Sequence, residues 1–249
     1  MEDLRRITDS LLLHGSLIES PGLLHGKMGI TIFFFHYARS SGDSLYWEYA
    51  MLLLEKITQQ LHASYRADYE KGIAGIGVGL CHLIGEHLVE TERDLFDDLD
   101  ERMVRAVLFD PWSGYGLSDG LTGLGRYWIM RLLMEPDNSQ ANHCLNYIVQ
   151  QVGASSMRLS GFERECVKGF LLDLRTFFGW PVLEDFAASS VSVSEIPINE
   201  EGLRDALKPL PPLGLLNGIA RDGLCLLEKE GMIQSSWRSL LLTQLSAST

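Results

Sequence analysis

The chain has 249 residues, of which 46% are hydrophobic and 22% charged, proportions typical of one globular domain with a sizeable core. Its 33 acidic and 21 basic side chains give a formal charge of −12, which excludes nucleic acid and anionic membranes as expected partners. Because the first residues lack the apolar core of a signal peptide and no apolar run could span a bilayer, we expect a single cytoplasmic domain over residues 1–249.

The predicted elements are helices throughout. An N-terminal helix is expected over residues 4–18, and helices of two kinds then alternate along the chain. The first kind is apolar on nearly all sides and follows Gly26, Gly72 and Gly120, as in GIAGIGVGLCHLI. Residues 187–195, AASSVSVSE, are low in complexity and are predicted to form a loop.

The second kind of helix is amphipathic. One apolar stripe is predicted from Tyr46, Ala50, Leu53, Leu54, Ile57 and Leu61, and another from Leu95, Leu99, Met103, Ala106 and Val107. The acidic residues of the second segment are expected to face water: Asp94, Asp97, Asp98, Asp100 and Glu101. A buried helix paired with an amphipathic one makes a helical hairpin.

Five glycines mark a repeat of this hairpin: Gly26, Gly72, Gly120, Gly169 and Gly218. They are separated by 46, 48, 49 and 49 residues. The first three begin a G-x-x-G motif, whereas the fourth and fifth repeats carry Leu172 and Arg221 in place of the second glycine. The predicted fold class is therefore all-α, an α/α toroid or incomplete barrel of about five hairpins, with the apolar helices inside.

The glycines are expected to stand where a loop meets an inner helix. There a glycine permits positive φ and close approach of the main chain, and the second glycine lets neighbouring inner helices touch. In a toroid the inner helices all begin at the same end, so their N–H groups and positive dipole ends converge. The residues preceding the glycines then form the predicted ligand site: His25, Lys71, Asp119, Lys168 and Asn217.

The segments GLLHGKMGI, YEKGIAGIGVGL, YGLSDGLTGLGRYW and LGLLNGIARDGL resemble the glycine-rich repeats of the lanthionine synthetase C-like family. The resemblance covers residues 22–227 through repeat position. It implies an α/α toroid, for which seven hairpins are usual, so this chain is short. It also implies a role in peptide maturation, where founding members add cysteine thiols to dehydrated serine or threonine at a zinc ion.

The zinc ligands that the resemblance implies are two cysteines and a histidine, in a W-C-Y-G and a C-H-G segment that each end on a repeat glycine, with each cysteine two places before it. His25 matches the histidine, but Leu24 stands at the cysteine position. The corresponding residues of the other repeats are Glu70, Ser118, Val167 and Leu216. We therefore expect no zinc or other cofactor and interpret the four cysteines as reduced thiols: Cys81, Cys144, Cys166 and Cys225.

Three functions remain open from the sequence. The first is a degenerate family member that binds a peptide or small ligand without zinc cyclisation. The second is an active peptide-modifying, thioether-forming enzyme with an unorthodox site that uses His25, Asp119 and Glu70. The third is a helical repeat module that docks a partner protein of a peptide-maturation system. The sequence contains no P-loop, H-E-x-x-H motif or nucleophile elbow.

Overall fold

The computed structural model describes residues 2–62, 64–90, 95–181 and 212–241, and these residues form helices and connecting loops without a strand. The predicted loop at residues 187–195 lies outside them. The nine described α-helices are α1 (Glu2–His14), α2 (Lys27–Ser41), α3 (Ser44–Thr58), α4 (Ile73–Gly85), α5 (Asp97–Leu108), α6 (Leu121–Met134), α7 (Ser139–Ser155), α8 (Gly161–Phe178) and α9 (Ile219–Lys229). Short 3₁₀ turns span Gly15–Leu17, Ser156–Arg158 and Ser235–Leu240.

The five inner helices lie side by side in the order α9, α2, α4, α6 and α8, of which α8 and α9 carry several charged residues. Outer helices pack on this row, with α3 against α2 and α7 against α6. The last inner helix, α9, packs against the N-terminal helix α1, so the two ends of the described chain meet. Each helix of the described ranges is too short or too polar to cross a bilayer.

Burial follows the two predicted kinds of helix. Every residue from Ile73 to Leu83 of α4 is buried, as expected for a helix that is apolar on all sides. On α3 the buried residues are Ala50, Leu53, Leu54 and Ile57, which confirms the centre of the predicted stripe. The stripe of α5 is likewise buried at Leu99, Met103, Ala106 and Val107.

Four of the repeat glycines cap inner helices, at Gly26, Gly72, Gly120 and Gly218. Their φ angles are −120°, −101°, −103° and −129°, so the expectation of positive φ is wrong. Close approach alone explains the glycine, because a Cβ at any of these positions would overlap the main chain four to six residues earlier. The helices α2, α4, α6 and α9 therefore each begin folded tightly onto their own loop.

The same loops use the first N–H group of α2, α4, α6 and α9, which donates to the carbonyl seven residues earlier. These hydrogen bonds are Lys27 to Ser20 (2.9 Å), Ile73 to Arg66 (3.0 Å), Leu121 to Gly114 (2.8 Å) and Ile219 to Pro212 (2.9 Å). In three of the helices the second N–H is bonded in the same way. The expectation that free N–H groups converge on a ligand is thus wrong for these donors, since the loops already satisfy them.

The fourth repeat departs from the pattern. Helix α8 begins at Gly161 with a capping box, in which Ser160 and Glu163 exchange hydrogen bonds with each other's main-chain N–H. Gly169 therefore lies inside α8 and does not begin a helix. The capping box starts the helix about two turns before the position that the glycine interval predicts.

Candidate functional site

The loops before α9, α2, α4 and α6 are joined by main-chain hydrogen bonds at one repeat position, two residues before each glycine. Leu216 donates to Leu24 (2.8 Å), Leu24 donates to Glu70 (3.2 Å), and Glu70 donates to Ser118 (3.0 Å). This ladder holds the four loops in register. We call the surface formed by residues 20–26, 66–72, 114–120 and 212–218 the loop face.

Four of the five predicted site residues are exposed at equivalent points of the loop face: His25, Lys71, Asp119 and Asn217. Asn217 has a φ of 52°, in the left-handed region that asparagine tolerates better than most residues. Glycines seat neighbouring loops closely, since a Cβ on Gly22 would overlap Lys71 and one on Gly214 would press on His25. The structure therefore places these four residues on one continuous surface.

Lys168, the fifth predicted residue, does not belong to that surface. It lies within α8, is 8% exposed, and its Nζ is 2.9 Å from Glu165 Oε1 one turn earlier on the same helix. The reason is the early start of α8, which turns a loop position into a helical one. We therefore remove Lys168 from the candidate site.

Glu70 brings two of the predicted residues together. Its Oε1 lies 3.9 Å from His25 Nε2 and 3.4 Å from Lys71 Nζ. The three side chains are all partly exposed, so water screens the pairs, and they remain available to exchange partners with a ligand. Glu70 is thus a member of the site, where the sequence suggested it only as an alternative acid–base group.

Asp68 fixes the shape of the loop that carries Glu70 and Lys71. Its carboxylate accepts the main-chain N–H of Lys71 at 2.9 Å and is paired with Arg66, and the residue is 9% exposed. The side chain therefore acts within the loop, by accepting from the main chain three residues on. The other three loops carry a glycine at this position, four residues before the cap: Gly22, Gly116 and Gly214.

An open cleft of about 410 Å³ lies beside Asp119, between α5 and the loops that precede α4 and α6. It is lined by Arg66, Ala67, Asp68, Ala106, Asp110, Pro111, Trp112, Ser113, Asp119 and Leu124. Trp112 stacks edge-on against Tyr115 with ring centroids 5.3 Å apart, and the Tyr115 hydroxyl is anchored to Ser155 at 2.7 Å. Of the five predicted site residues, Asp119 lines this cleft.

The thiols are buried in the interior, with Cys166 against the main chain of Leu117 in one of the loops. All four cysteines are free and buried, and burial raises the pKa of Cys81 and of Cys144 to about 12. Burial also raises the pKa of Cys166 and Cys225. Leu24, at the position where the resemblance would place a cysteine, is 3% exposed. Within residues 2–62, 64–90, 95–181 and 212–241, no three His, Cys, Asp or Glu side chains are grouped to hold a metal ion.

A buried histidine pair joins α2 to α4 inside the protein. His36 and His82 are 0% and 5% exposed, and their Nε2 atoms are 2.9 Å apart. Burial lowers the pKa of His36 to about 3, helped by His82 and Arg39, and lowers the pKa of His82 to about 4. Both residues lie ten positions after a repeat glycine, Gly26 and Gly72. This shared repeat position is the sequence signal that could have predicted the pair.

Asp100 corrects one sequence expectation, since it is buried rather than facing water. Both of its carboxylate oxygens accept from Arg131 of α6, with Nη2 to Oδ2 at 2.8 Å, and Tyr127 donates to Oδ1 at 2.5 Å. Burial and the adjacent carboxylate raise the pKa of Tyr127 well above its ordinary value, so the hydroxyl remains a donor. This cluster locks α5 onto α6 and is structural.

The fold and the loop face together define an all-helical repeat protein with a polar surface at one end of its inner helices. Comparison of the chain with protein-family models, with curated proteins and with solved structures finds no match.

Proposed function

We propose that the protein is a degenerate lanthionine synthetase C-like α/α toroid that binds a peptide on its loop face, as an accessory of peptide maturation. Its five inner helices close into a ring in this proposal, with α1 serving as the outer partner of α9. The loop face carries the ligand site, and no zinc-dependent cyclisation takes place there.

The observation that supports this proposal most strongly is the main-chain ladder from Leu216 through Leu24 and Glu70 to Ser118. A ladder at one repeat position sets the neighbouring side chains at regular intervals along one surface. His25, Lys71, Asp119 and Asn217 are polar and exposed there, although the helices that follow them are apolar. Capping alone does not require them, because the loop carbonyls already satisfy the first helical N–H groups.

The cleft beside Asp119 favours a basic peptide. Three carboxylates and one guanidinium line it, and the guanidinium of Arg66 is already paired with Asp68. Within the described part of the chain, the Asp119 carboxylate has no side-chain partner, while Trp112 offers an aromatic face nearby. A carboxylate next to an aromatic ring suits the ammonium or guanidinium group of lysine or arginine. The formal charge of −12 attracts the same class of ligand.

The residues present support binding rather than thiol chemistry. A zinc cyclase needs thiolate ligands and a deprotonated substrate thiol, whereas the thiols of this chain are buried with raised pKa values. His25 is exposed on the loop face, 3.9 Å from Glu70, where its ring is accessible to a ligand.

The proposal is tested with tetrapeptide mixtures in which one position is fixed and the others vary, measured against immobilised protein. Mixtures with fixed arginine or lysine are expected to bind, and mixtures with fixed glutamate are not. Hydrogen exchange of the complex should then protect residues 66–72 and 112–120 more than α7. Equal binding of all mixtures, or protection confined to the outer helices, would refute the proposal.

A further inference from the structure

Phe162, the second residue of α8, is an exposed aromatic side chain at the edge of the loop face. It is 69% exposed, and its Cε1 lies 3.5 Å from the point that a Cβ on Gly116 would occupy. The Oδ1 atom of Asp119 lies 3.8 Å from the same point. One ligand group placed beside Gly116 can therefore contact the aromatic ring and the carboxylate together.

The space beside Gly116 is open because the fourth repeat has no loop there. At the equivalent glycines of two other loops, Gly22 and Gly214, a Cβ would overlap the main chain of the next loop. Beside Gly116 the described residues bring only two side chains, and no main chain of another loop, within 4 Å. Since α8 begins early, the main-chain ladder of the described loops ends at Ser118, and the position of a fourth loop is left to solvent or a ligand.

Glu163 fixes the start of α8 against the loop that carries Asp119. Its Oε1 accepts from the N–H of Tyr115 at 3.0 Å, and its Oε2 accepts from the N–H of Ser160 at 3.0 Å and from its Oγ at 2.8 Å. These hydrogen bonds, with that from Tyr115 first, lower the pKa of Glu163 and keep its carboxylate ionised. The negative charge offsets the positive end of α8, so a cation can lie beside Phe162.

A carboxylate and an aromatic ring at this spacing suit arginine better than lysine. The guanidinium is planar, so it donates two parallel hydrogen bonds to a carboxylate while its face stacks on a ring. The lysine ammonium is a compact and strongly hydrated charge, which gains less from a ring at an exposed site. Asp119 is exposed and supplies the carboxylate, and Phe162 supplies the ring.

We propose that the peptide bound on the loop face carries arginine at the position that meets Asp119, and that Phe162 sets the preference for arginine over lysine. The guanidinium lies in the space beside Gly116, bonded to the Asp119 carboxylate and stacked on the Phe162 ring. The arginine residue thus fills the position that a fourth loop would occupy. This inference rests on the proposed function, in which Asp119 binds a basic peptide, and it adds the start of α8 to the site.

The test titrates the tetrapeptide mixtures with fixed arginine and with fixed lysine against the immobilised full-length protein. The wild type is expected to bind the arginine mixture about two- to fivefold more tightly than the lysine mixture, as stacking at an exposed site allows. In Phe162→Leu, which keeps an apolar side chain but loses the ring, the preference for arginine should disappear. The matched control is Met157→Ala, at an apolar residue just before α8 that is 90% exposed, and it should keep the wild-type preference.

A second variant, Gly116→Ala, fills the space itself. The φ of Gly116 is not positive, and the added Cβ would meet Phe162 and Asp119 only at ordinary contact distances, so the fold and the thermal unfolding midpoint should be kept. Because the methyl group occupies the place of the guanidinium, this variant should also lose the preference for arginine.

The outcomes separate this inference from the proposed function. If the wild type binds both basic mixtures equally and rejects the glutamate mixture, or if the preference for arginine persists in either folded variant, this inference is overturned and the proposed function stands. If neither basic mixture binds the wild type, the proposed function fails and this inference fails with it.

Discussion

His36 and His82 face each other across α2 and α4 with their Nε2 atoms 2.9 Å apart. Arg39 lies 3.3 Å from His36 Nδ1, and a guanidinium can only donate. His36 Nδ1 therefore accepts, and the hydrogen of the neutral His36 ring is on Nε2, from which it is donated to His82. Glu86 pairs with Arg39 at 3.2 Å, so the four side chains form one network between the first two repeats.

This network predicts that the protein loses stability on mild acidification. The pKa values of about 3 for His36 and about 4 for His82 lie below that of an unfolded histidine, so the unfolded chain binds more protons. Below pH 6.5 each imidazole lowers the free energy of unfolding by about 1.4 kcal/mol per pH unit. Urea unfolding at pH 7, 6 and 5 measures the slope.

The control for the pH prediction is a histidine that does not share this environment. His143 is exposed on α7, so His143→Gln should leave the slope unchanged, whereas His82→Gln should reduce it. The window above pH 5 is chosen because Glu86 has a lowered pKa and stays ionised there. An equal slope in the wild type, His143→Gln and His82→Gln would contradict the assignment of this pH dependence to the buried histidine pair.

Asp100→Asn should be strongly destabilising. It removes the buried carboxylate that accepts from Arg131 and leaves that guanidinium only the exposed Glu135, 3.3 Å away, which costs about 3–5 kcal/mol of unfolding free energy. Asp98→Asn on the exposed side of the same helix is the matched control and should change stability by about 0.5 kcal/mol or less. Chemical denaturation of both variants at pH 7 measures the two losses of unfolding free energy. Similar losses would contradict a stabilising role for the Asp100–Arg131 pair between α5 and α6.

Two glycines of α4 should respond in opposite ways to alanine. At the cap, Gly72→Ala drives a Cβ into the main chain of Arg66 and Asp68 and should cost about 1–3 kcal/mol. At the other end, a Cβ on Gly85 meets no atom within 4 Å, so Gly85→Ala should stabilise by about 0.4–1 kcal/mol. Thermal unfolding compares the stability of the two variants. Unchanged stability in Gly72→Ala would refute the close approach between this cap and the main chain of its loop.

The purified protein should hold no stoichiometric zinc. The residue beside His25 is Leu24, and burial raises the thiol pKa values of Cys81 and Cys144 to about 12, which opposes the thiolate that zinc requires. Elemental analysis after dialysis against a weak chelator gives the answer. About one zinc per chain, lost in His25→Ala but kept in His143→Ala, would overturn this expectation.

Local sequence signals predicted the helices well. The glycine interval located the starts of α2, α4, α6 and α9, and all-round apolarity supported the first three, because the cap depends on atoms within seven residues. The fourth interval failed because a stronger local signal, the Ser160 and Glu163 capping box, lies upstream of Gly169. The strength of competing start signals cannot be ranked from spacing alone.

Contacts between residues far apart in the chain could not be predicted from the sequence. Asp100 looks like its exposed neighbours on α5, and only Arg131, 31 residues away, makes its burial possible. The exposed members of the candidate site were predicted because repeat position alone places them. Glu70 was named with His25 only as an alternative acid–base group, because the distance between the two repeats depends on the main-chain ladder, which the sequence does not show.

The most direct test of the loop face as a ligand site is isothermal titration of the best arginine-containing tetrapeptide into Asp119→Asn and Asp137→Asn. Both changes remove one exposed negative charge, but Asp119 precedes α6 and Asp137 follows it. We predict that Asp119→Asn weakens binding at least about tenfold at unchanged urea midpoint, since a charged hydrogen bond is lost, while Asp137→Asn binds as the wild type does. Equal affinity of the two variants would contradict a peptide site on the loop face.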